Sequence, residues 1–120
     1  MTHSPGHEKW PDHKVVEKPL QQRIQVQING ETIADSQAVI EVDEDKYPAR
    51  FYFPRSDVRM DKLLKSETST TCPFKGKASY YSFGDQDDQA WSYEDPYEEH
   101  NSLKDRIAFY DENPSIQVIH

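Results

Sequence analysis

The most constraining feature of the sequence is a short alternating segment that ends at an Asn-Gly pair. Residues 24–28 alternate between a branched aliphatic residue and glutamine, and a period of two is typical of a strand with one buried face. Asn29-Gly30 supplies two residues that tolerate positive φ, as a type I′ turn requires. Residues 32–34 then return as a second short strand. The segment therefore predicts a β-hairpin.

Further short runs of β-forming residues predict a mainly β fold. With the hairpin they make about eight short strands, spaced as in an antiparallel barrel or folded-sheet domain. Residues 56–60, with Ser56 as the cap, and residues 96–106 predict one or two short helical turns. The additional predicted strands lie at residues 39–42, 50–53, 78–83, 90–93, 107–110 and 116–119.

The chain length predicts a single domain. Its 120 residues, 12% of them aromatic, suffice for one hydrophobic core. Residues 1–20 hold three histidines and three prolines without periodicity, so we expect an extended lead-in there and a β-rich domain over residues 21–120. The only cysteine is Cys72, which excludes an internal disulfide and a four-thiolate zinc site. We therefore expect no metal and no cofactor.

Charge limits the classes of partner. The formal net charge of −8 disfavours nucleic-acid binding. No apolar run approaches a membrane span or a signal peptide, so we expect a cytoplasmic protein with no membrane partner. Residues 46–77 nevertheless carry eight basic and three acidic side chains. This local excess either attracts a small anionic ligand or is neutralised by surface ion pairs.

The loop at residues 70–77 is the first candidate site, since it places Cys72 between two threonines and two lysines. A thiolate stabilised by an exposed Lys75, or by Lys77, would make Cys72 a nucleophile, although His100 is the one identifiable candidate for its general base. Alternatively, Thr70, Thr71 and Lys75 bind an anionic group together with loop amides. In the third reading Cys72 is a small buried hydrophobic residue.

Aromatic residues form the second candidate feature. Trp91 and Tyr93 share one face of a predicted strand, and either Tyr80 or Tyr81 on the partner strand faces them. These rings either wall a pocket for a small molecule or simply form the core of the sheet. An exposed aromatic surface would instead suit a partner-docking or homo-oligomeric module.

Five motifs occur in one order along the chain: IADS at residues 33–36, YFPRSDV at 52–58, TTCPFKG at 70–76, AWSY at 90–93 with Pro96, and IAFY at 107–110. Together they resemble the bacterial family catalogued as domain of unknown function 427. The resemblance covers residues 23–118. It implies a β-tent (Mss4-like) fold, and a nucleotidyltransferase label attached to the family implies nucleotidyl transfer. β-tent relatives usually hold zinc through two cysteine pairs, which this chain lacks.

Together these features predict a ligand pocket where the loop at residues 70–77 meets Arg55, Asp57 and Trp91. Its ligand is expected to be small and either polar or anionic. The alternatives are an enzyme that uses Cys72 or transfers nucleotides, and an interaction module. Nucleotidyl transfer needs metal-binding carboxylates, but Asp85 and Asp87 lie in an acidic segment that suits a solvated turn. The predicted ligand-binding residues are Arg55, Asp57, Thr70, Thr71, Cys72, Lys75, Trp91 and Tyr93.

Overall fold

The computed structural model describes residues 3–120 and shows a mainly β domain. Over these residues the strands are β1 (Val15–Pro19), β2 (Ile24–Ile28), β3 (Glu31–Ser36), β4 (Ile40–Glu44), β5 (Arg50–Tyr52), β6 (Leu64–Cys72), β7 (Gly76–Phe83), β8 (Gln86–Pro96), β9 (Ala108–Phe109) and β10 (Ile116–Ile119). They pair antiparallel in three sheets of order β1-β4-β5, β10-β2-β3 and β6-β7-β8-β9. The predicted mainly β, antiparallel fold class is confirmed.

The predicted hairpin is present, and β7 and β8 form a second one. β2 and β3 are joined by Asn29 and Gly30, whose φ angles of 52° and 81° are the left-handed pair that a type I′ turn needs. β7 and β8 are joined by Gly84-Asp85. The turn is shorter than the acidic segment suggested, because Asp87 already belongs to β8.

Two strands escaped the sequence analysis, β1 and β6. β6 is nine residues long and exposed along most of its length, so its polar sequence carries no alternation of apolar residues. The helical segments are short: α1 (Pro5–Lys9) and 3-10 turns at Arg55–Asp57, Met60–Lys62 and Glu98–Leu103. The predicted capping role of Ser56 is wrong, since Pro54 precedes the first 3-10 turn.

The segment before β1 is structured where the chain is described. Residues 3–10, here called the N-terminal strap, contain α1, whose first turn is capped by the hydroxyl of Ser4. β1 then pairs with β4 from Val15↔Glu44 to Pro19↔Ile40. Residues 3–20 thus contain one short helix and one strand, and Met1 and Thr2 lie outside the described residues.

Two hydrophobic clusters lie on opposite faces of the same strands. Phe53 and Ile107 bond through both backbone amides, at 2.8 and 2.9 Å, and so connect the end of β5 with β9 and its sheet. Alternation sends Phe53 to one cluster and Tyr52 to the other. The aliphatic cluster comprises Ile24, Val26, Ile28, Ile33, Ala34, Val39, Phe53, Val58, Tyr81, Ala90, Ile107, Phe109 and Ile116. The aromatic cluster comprises Ile40, Val42, Tyr52, Ala78, Trp91, Tyr93, Leu103 and Ala108.

Within residues 3–120, no helix is both long enough and apolar enough to cross a membrane.

Candidate functional site

The aromatic cluster opens into a cavity of about 390 Å³ between β4–β5 and the β7–β8 hairpin. Six aromatic rings line it. Among its polar lining groups are Glu44, Arg50, Thr71, Cys72 and Lys75. The lining rings are those of Tyr47, Tyr52, Tyr80, Trp91, Tyr93 and Tyr110.

Strand pairing places the central rings. Tyr80 on β7 lies directly opposite Trp91 on β8, and Tyr93 lines the same cavity two residues further on. The predicted shared aromatic face is therefore confirmed, with Tyr80 rather than Tyr81 as the partner. The Trp91 indole donates a hydrogen bond from Nε1 to the Tyr52 hydroxyl at 3.0 Å, and the two rings meet edge to face at 88°. This bond satisfies the polar atom of a buried indole and fixes the orientation of its ring.

A buried ion pair forms the polar wall of the cavity. The Lys75 ammonium donates to a Glu44 oxygen, and the two side chains are only 10% and 11% exposed. The second carboxylate oxygen of Glu44 lies 3.0 Å from His13 Nε2. The expectation of an exposed Lys75 is wrong, because the three-residue turn between β6 and β7 directs its side chain onto β4.

Arg50 borders the opposite side of the cavity and is also paired. Its guanidinium donates to both Glu112 carboxylate oxygens at 2.8 Å. The same group lies 5.3 Å from the Trp91 ring centre and 5.2 Å from that of Tyr110, close enough for cation–π attraction. Both cations at the cavity thus have acidic partners, which reduces the attraction for a strongly anionic ligand.

The hydroxyls of Tyr52, Tyr93 and Tyr110 stay protonated at neutral pH. Burial, followed by its hydrogen bond with Tyr80, raises the pKa of Tyr110 to about 12. Burial also raises the pKa of Tyr52 and Tyr93 above the ordinary value. The cavity therefore offers hydroxyl donors and an ammonium group beside the Glu44 carboxylate.

Cys72 is the last residue of β6 and lies, partly buried, in the cavity wall. His100, the base that the nucleophile reading would need, is held elsewhere. Its Nδ1 lies 2.5 Å from a Glu17 oxygen, and its Nε2 lies 2.8 Å from His7 Nε2. Because both ring nitrogens are engaged and the ring is absent from the cavity lining, the structure does not bring His100 to Cys72.

The predicted site residues divide into two groups. Those that line the cavity are Thr71, Cys72, Lys75, Trp91 and Tyr93. Thr70 binds the Tyr80 hydroxyl at the surface, at 2.9 Å. Asp57 accepts from Ser36 Oγ at 2.7 Å, and Arg55 donates to Glu94 at 3.0 Å. These three residues do not line the cavity.

Arg55 instead stabilises a polar network on β8. Its guanidinium donates to the Tyr81 hydroxyl and to Ser92 Oγ, and Lys65 donates to the same Glu94 carboxylate at 2.8 Å. Burial opposes ionisation of Glu94, but the hydrogen bonds from Lys65, Tyr81 and Arg55 outweigh it and lower its pKa to about 2. Arg55 therefore pairs with an ionised Glu94 in this network and does not line the cavity.

The local excess of basic residues is largely neutralised by ion pairs. In the described part of the chain, six of the eight cations of residues 46–77 lie within 4 Å of a carboxylate. The structure thus favours the second reading of that charge excess. The paired cations are Arg50, Arg55, Arg59, Lys62, Lys65 and Lys75.

Sequence reasoning missed Glu44, Arg50, Tyr52 and Tyr110 as cavity residues. Alternation along residues 50–52 places Arg50 and Tyr52 on one face, so that pair had a usable signal. No sequence signal identified Glu44 as a cavity residue, because its partner Lys75 lies 31 positions further along the chain. Among residues 3–120, no group of three or more His, Cys, Asp or Glu side chains is arranged to hold a metal ion.

A family model described as Domain of unknown function (DUF427) matches residues 17–119. The chain belongs to this family. Comparison with curated proteins gives no match. The region shared with DUF427 includes every residue that lines the cavity, whereas the N-terminal strap lies outside it.

Proposed function

We propose that this DUF427 protein is a small-molecule-binding domain whose ligand is a flat, polar ring compound. The observation that supports the proposal is the combination of six aromatic rings with the Lys75–Glu44 pair around one cavity. Ligand sites are typically concave and largely aromatic or apolar, with a few polar groups that fix orientation.

The size and shape of the cavity favour a small ring. Its volume of about 390 Å³ falls at the lower end of the range for small-molecule sites, roughly 300–1,000 Å³. Trp91 and Tyr110 pack against each other in the cavity wall, with ring centres 4.4 Å apart and ring planes tilted by 39°. A planar ligand gains both apolar burial and offset stacking against such walls.

The charges of the cavity favour a polar ligand over a strongly anionic one. Glu44 partly neutralises Lys75, and Glu112 does so for Arg50. Lys75 has three ammonium protons, so a proton beyond the one given to Glu44 is available to a ligand acceptor. A neutral amide or heterocyclic nitrogen can accept it without displacing the carboxylate.

Cys72 contributes to the wall in this proposal rather than acting as a nucleophile. The supporting observation is the position of His100, which binds Glu17 and His7 instead of facing the thiol. A reactive thiol needs a base or a cation free to stabilise the thiolate, and the ammonium of Lys75 is already paired.

Tryptophan fluorescence tests the proposal directly. A Trp10→Phe variant removes the exposed indole outside the cavity and leaves Trp91 as the reporter. The probes are adenine, uracil, nicotinamide and nicotinate, of which the last two compare a neutral with an anionic ring. We expect saturable quenching of Trp91 by at least one ring compound, with nicotinamide binding at least as tightly as nicotinate.

A Tyr80→Ala variant should weaken that binding at least tenfold, because it removes the ring opposite Trp91. Tyr97→Ala is the matched control, since Tyr97 does not line the cavity. Cyclohexanecarboxamide, which has the amide but no aromatic ring, should bind more weakly than nicotinamide. The proposal fails if none of the ring compounds gives a saturable change up to millimolar concentration.

A further inference from the structure

The N-terminal strap is held on the turn that carries Lys75 into the cavity. Gly6 N–H and Ser4 Oγ both donate to the Pro73 carbonyl at 2.7 Å. The approach is so close that a Cβ on Gly6 would lie 2.6 Å from the Pro73 oxygen. Only glycine permits this contact, so the strap is fitted to the turn rather than lying loosely on it.

The strap also covers Phe74, the next residue of the turn. The Phe74 ring is 8% exposed. It meets His7 of the strap edge to face at 5.0 Å between ring centres, and it stacks at 4.2 Å on His13, which follows the strap in the chain. Phe74 directly precedes Lys75, so movement of the strap acts on the wall of the cavity.

A pair of imidazoles fastens the strap to the domain. His7 Nε2 lies 2.8 Å from His100 Nε2, and His100 is 3% exposed. At that distance one nitrogen must donate and the other must accept, so the contact holds one proton. The opposite nitrogen of His100 faces the Glu17 carboxylate. A second proton would set two N–H groups against each other across 2.8 Å.

We propose that the His7–His100 contact is a proton-operated latch. With one shared proton it keeps the N-terminal strap on Pro73 and Phe74, and a second proton releases the strap and loosens the cavity wall. The device goes beyond the proposed function, because it concerns access to the cavity and lies partly outside the region matched by the family model.

Neighbouring charged groups determine how readily the His7–His100 contact takes up the second proton. Glu99, which accepts from Ser4 N–H at 2.9 Å, and Glu44 attract a proton to His7, whereas His100 and His13 repel it. Glu17 faces His100 and itself lies near Arg106. Burial and the proximity of His100 prevail, and they lower the pKa of His7. The latch is therefore closed at neutral pH and opens on acidification.

Amide hydrogen exchange followed by NMR tests the latch in the ligand-free protein, so the outcome does not depend on the proposed function. Exchange of the Gly6 amide, corrected for its intrinsic rate, reports the opening of its bond to Pro73. We expect the opening equilibrium to be at least tenfold larger at pH 5.0 than at pH 7.5. The ring C–H signals of His7 should titrate with the same midpoint as this opening.

Two variants separate the latch from general acid destabilisation. His7→Gln keeps a donor for His100 but cannot gain a proton, so its opening should change less than threefold over the same pH range. His3→Gln alters an exposed histidine that pairs only with Glu98 in the described residues and should respond like the unmodified protein. An unchanged Gly6 opening on acidification, a His7 titration with a separate midpoint, or an undiminished response in His7→Gln would each overturn the proposal.

Discussion

The two faces of the β5-β9-β8 region, which carry the aliphatic and the aromatic cluster, differ in composition and in how completely they are closed. The aliphatic cluster consists mainly of branched side chains, with Phe53 and Phe109 among them, and it joins these strands to the β10-β2-β3 sheet. Most of its members are almost completely buried. The aromatic cluster is built from rings with polar atoms and borders an open cavity. The aliphatic cluster stabilises the fold through close packing. The aromatic cluster is closed less completely, and its rings and polar groups can be reached by a ligand.

Truncation on the aliphatic face should have the largest effect. Phe53 is completely buried and provides the backbone link to Ile107. We expect Phe53→Ala to lower the free energy of unfolding by about 4 kcal/mol, since it removes buried surface and leaves a cavity. Urea denaturation measures the change. A loss below about 1 kcal/mol would contradict the role given to the aliphatic cluster.

Breaking the buried ion pair of the aromatic face should come next. Lys75→Met leaves Glu44 with a buried charge whose remaining partner is His13, and we expect a loss of about 3 kcal/mol in unfolding free energy. Lys77→Met, at an exposed position two residues away, should change it by less than about 0.5 kcal/mol. Equal effects of the two variants in urea denaturation would show that Lys75 is not buried in solution.

Removal of a single polar atom from the aromatic face should have a smaller effect. Tyr52→Phe leaves the Trp91 indole N–H without its acceptor, and we expect a loss of about 1–2 kcal/mol. Tyr47→Phe alters an exposed tyrosine at the same cavity and serves as the control. If Tyr52→Phe proves as stable as the control, the rings are positioned by packing alone.

The smallest effect concerns the pH dependence of stability. Burial and His100 lower the pKa of His7 in the folded protein, so the unfolded chain binds the proton more readily. The contribution of His7 to the free energy of unfolding should therefore be fully present above the ordinary histidine pKa near 6.5. It should decrease as the pH falls from there toward the lowered pKa of His7. Urea midpoints at pH 7.5 and 5.5 measure the fall, which should shrink in His7→Gln. A urea midpoint that rises on acidification would contradict the predicted direction of this pH dependence.

Local patterns were sufficient to predict part of the fold. Alternation over residues 24–28 and the positive φ of Asn29-Gly30 specify the first hairpin without any distant contact. β6 could not be found in this way, because both of its faces are largely exposed and its sequence is polar throughout. β1 was missed for a related reason: only Val15 and Val16 are apolar, and its pairing with β4 is a distant contact.

The site was predictable to a similar extent. The shared face of Trp91 and Tyr93 follows from strand alternation, whereas the choice of Tyr80 over Tyr81 as their partner depends on the register of β7 and β8. Lys75 is buried because it pairs with Glu44, and Arg55 lies outside the cavity because it pairs with Glu94. Both carboxylates are far away in the chain from their partners. A single sequence gives no indication of which carboxylate folds back onto which cation, and the predicted pocket therefore included residues that belong to a separate network.

The pairing of β10 with β2 has a consequence for synthesis of the protein on the ribosome. Ile116 lies beside Ile28, so the partners are separated by roughly 90 residues of chain. The β10-β2-β3 sheet cannot close until residues 116–119 have emerged from the exit tunnel. Until then the edge of β2 that pairs with β10 is uncovered, and the nascent chain should bind chaperones that recognise exposed aliphatic segments while the residues between β2 and β10 are synthesised.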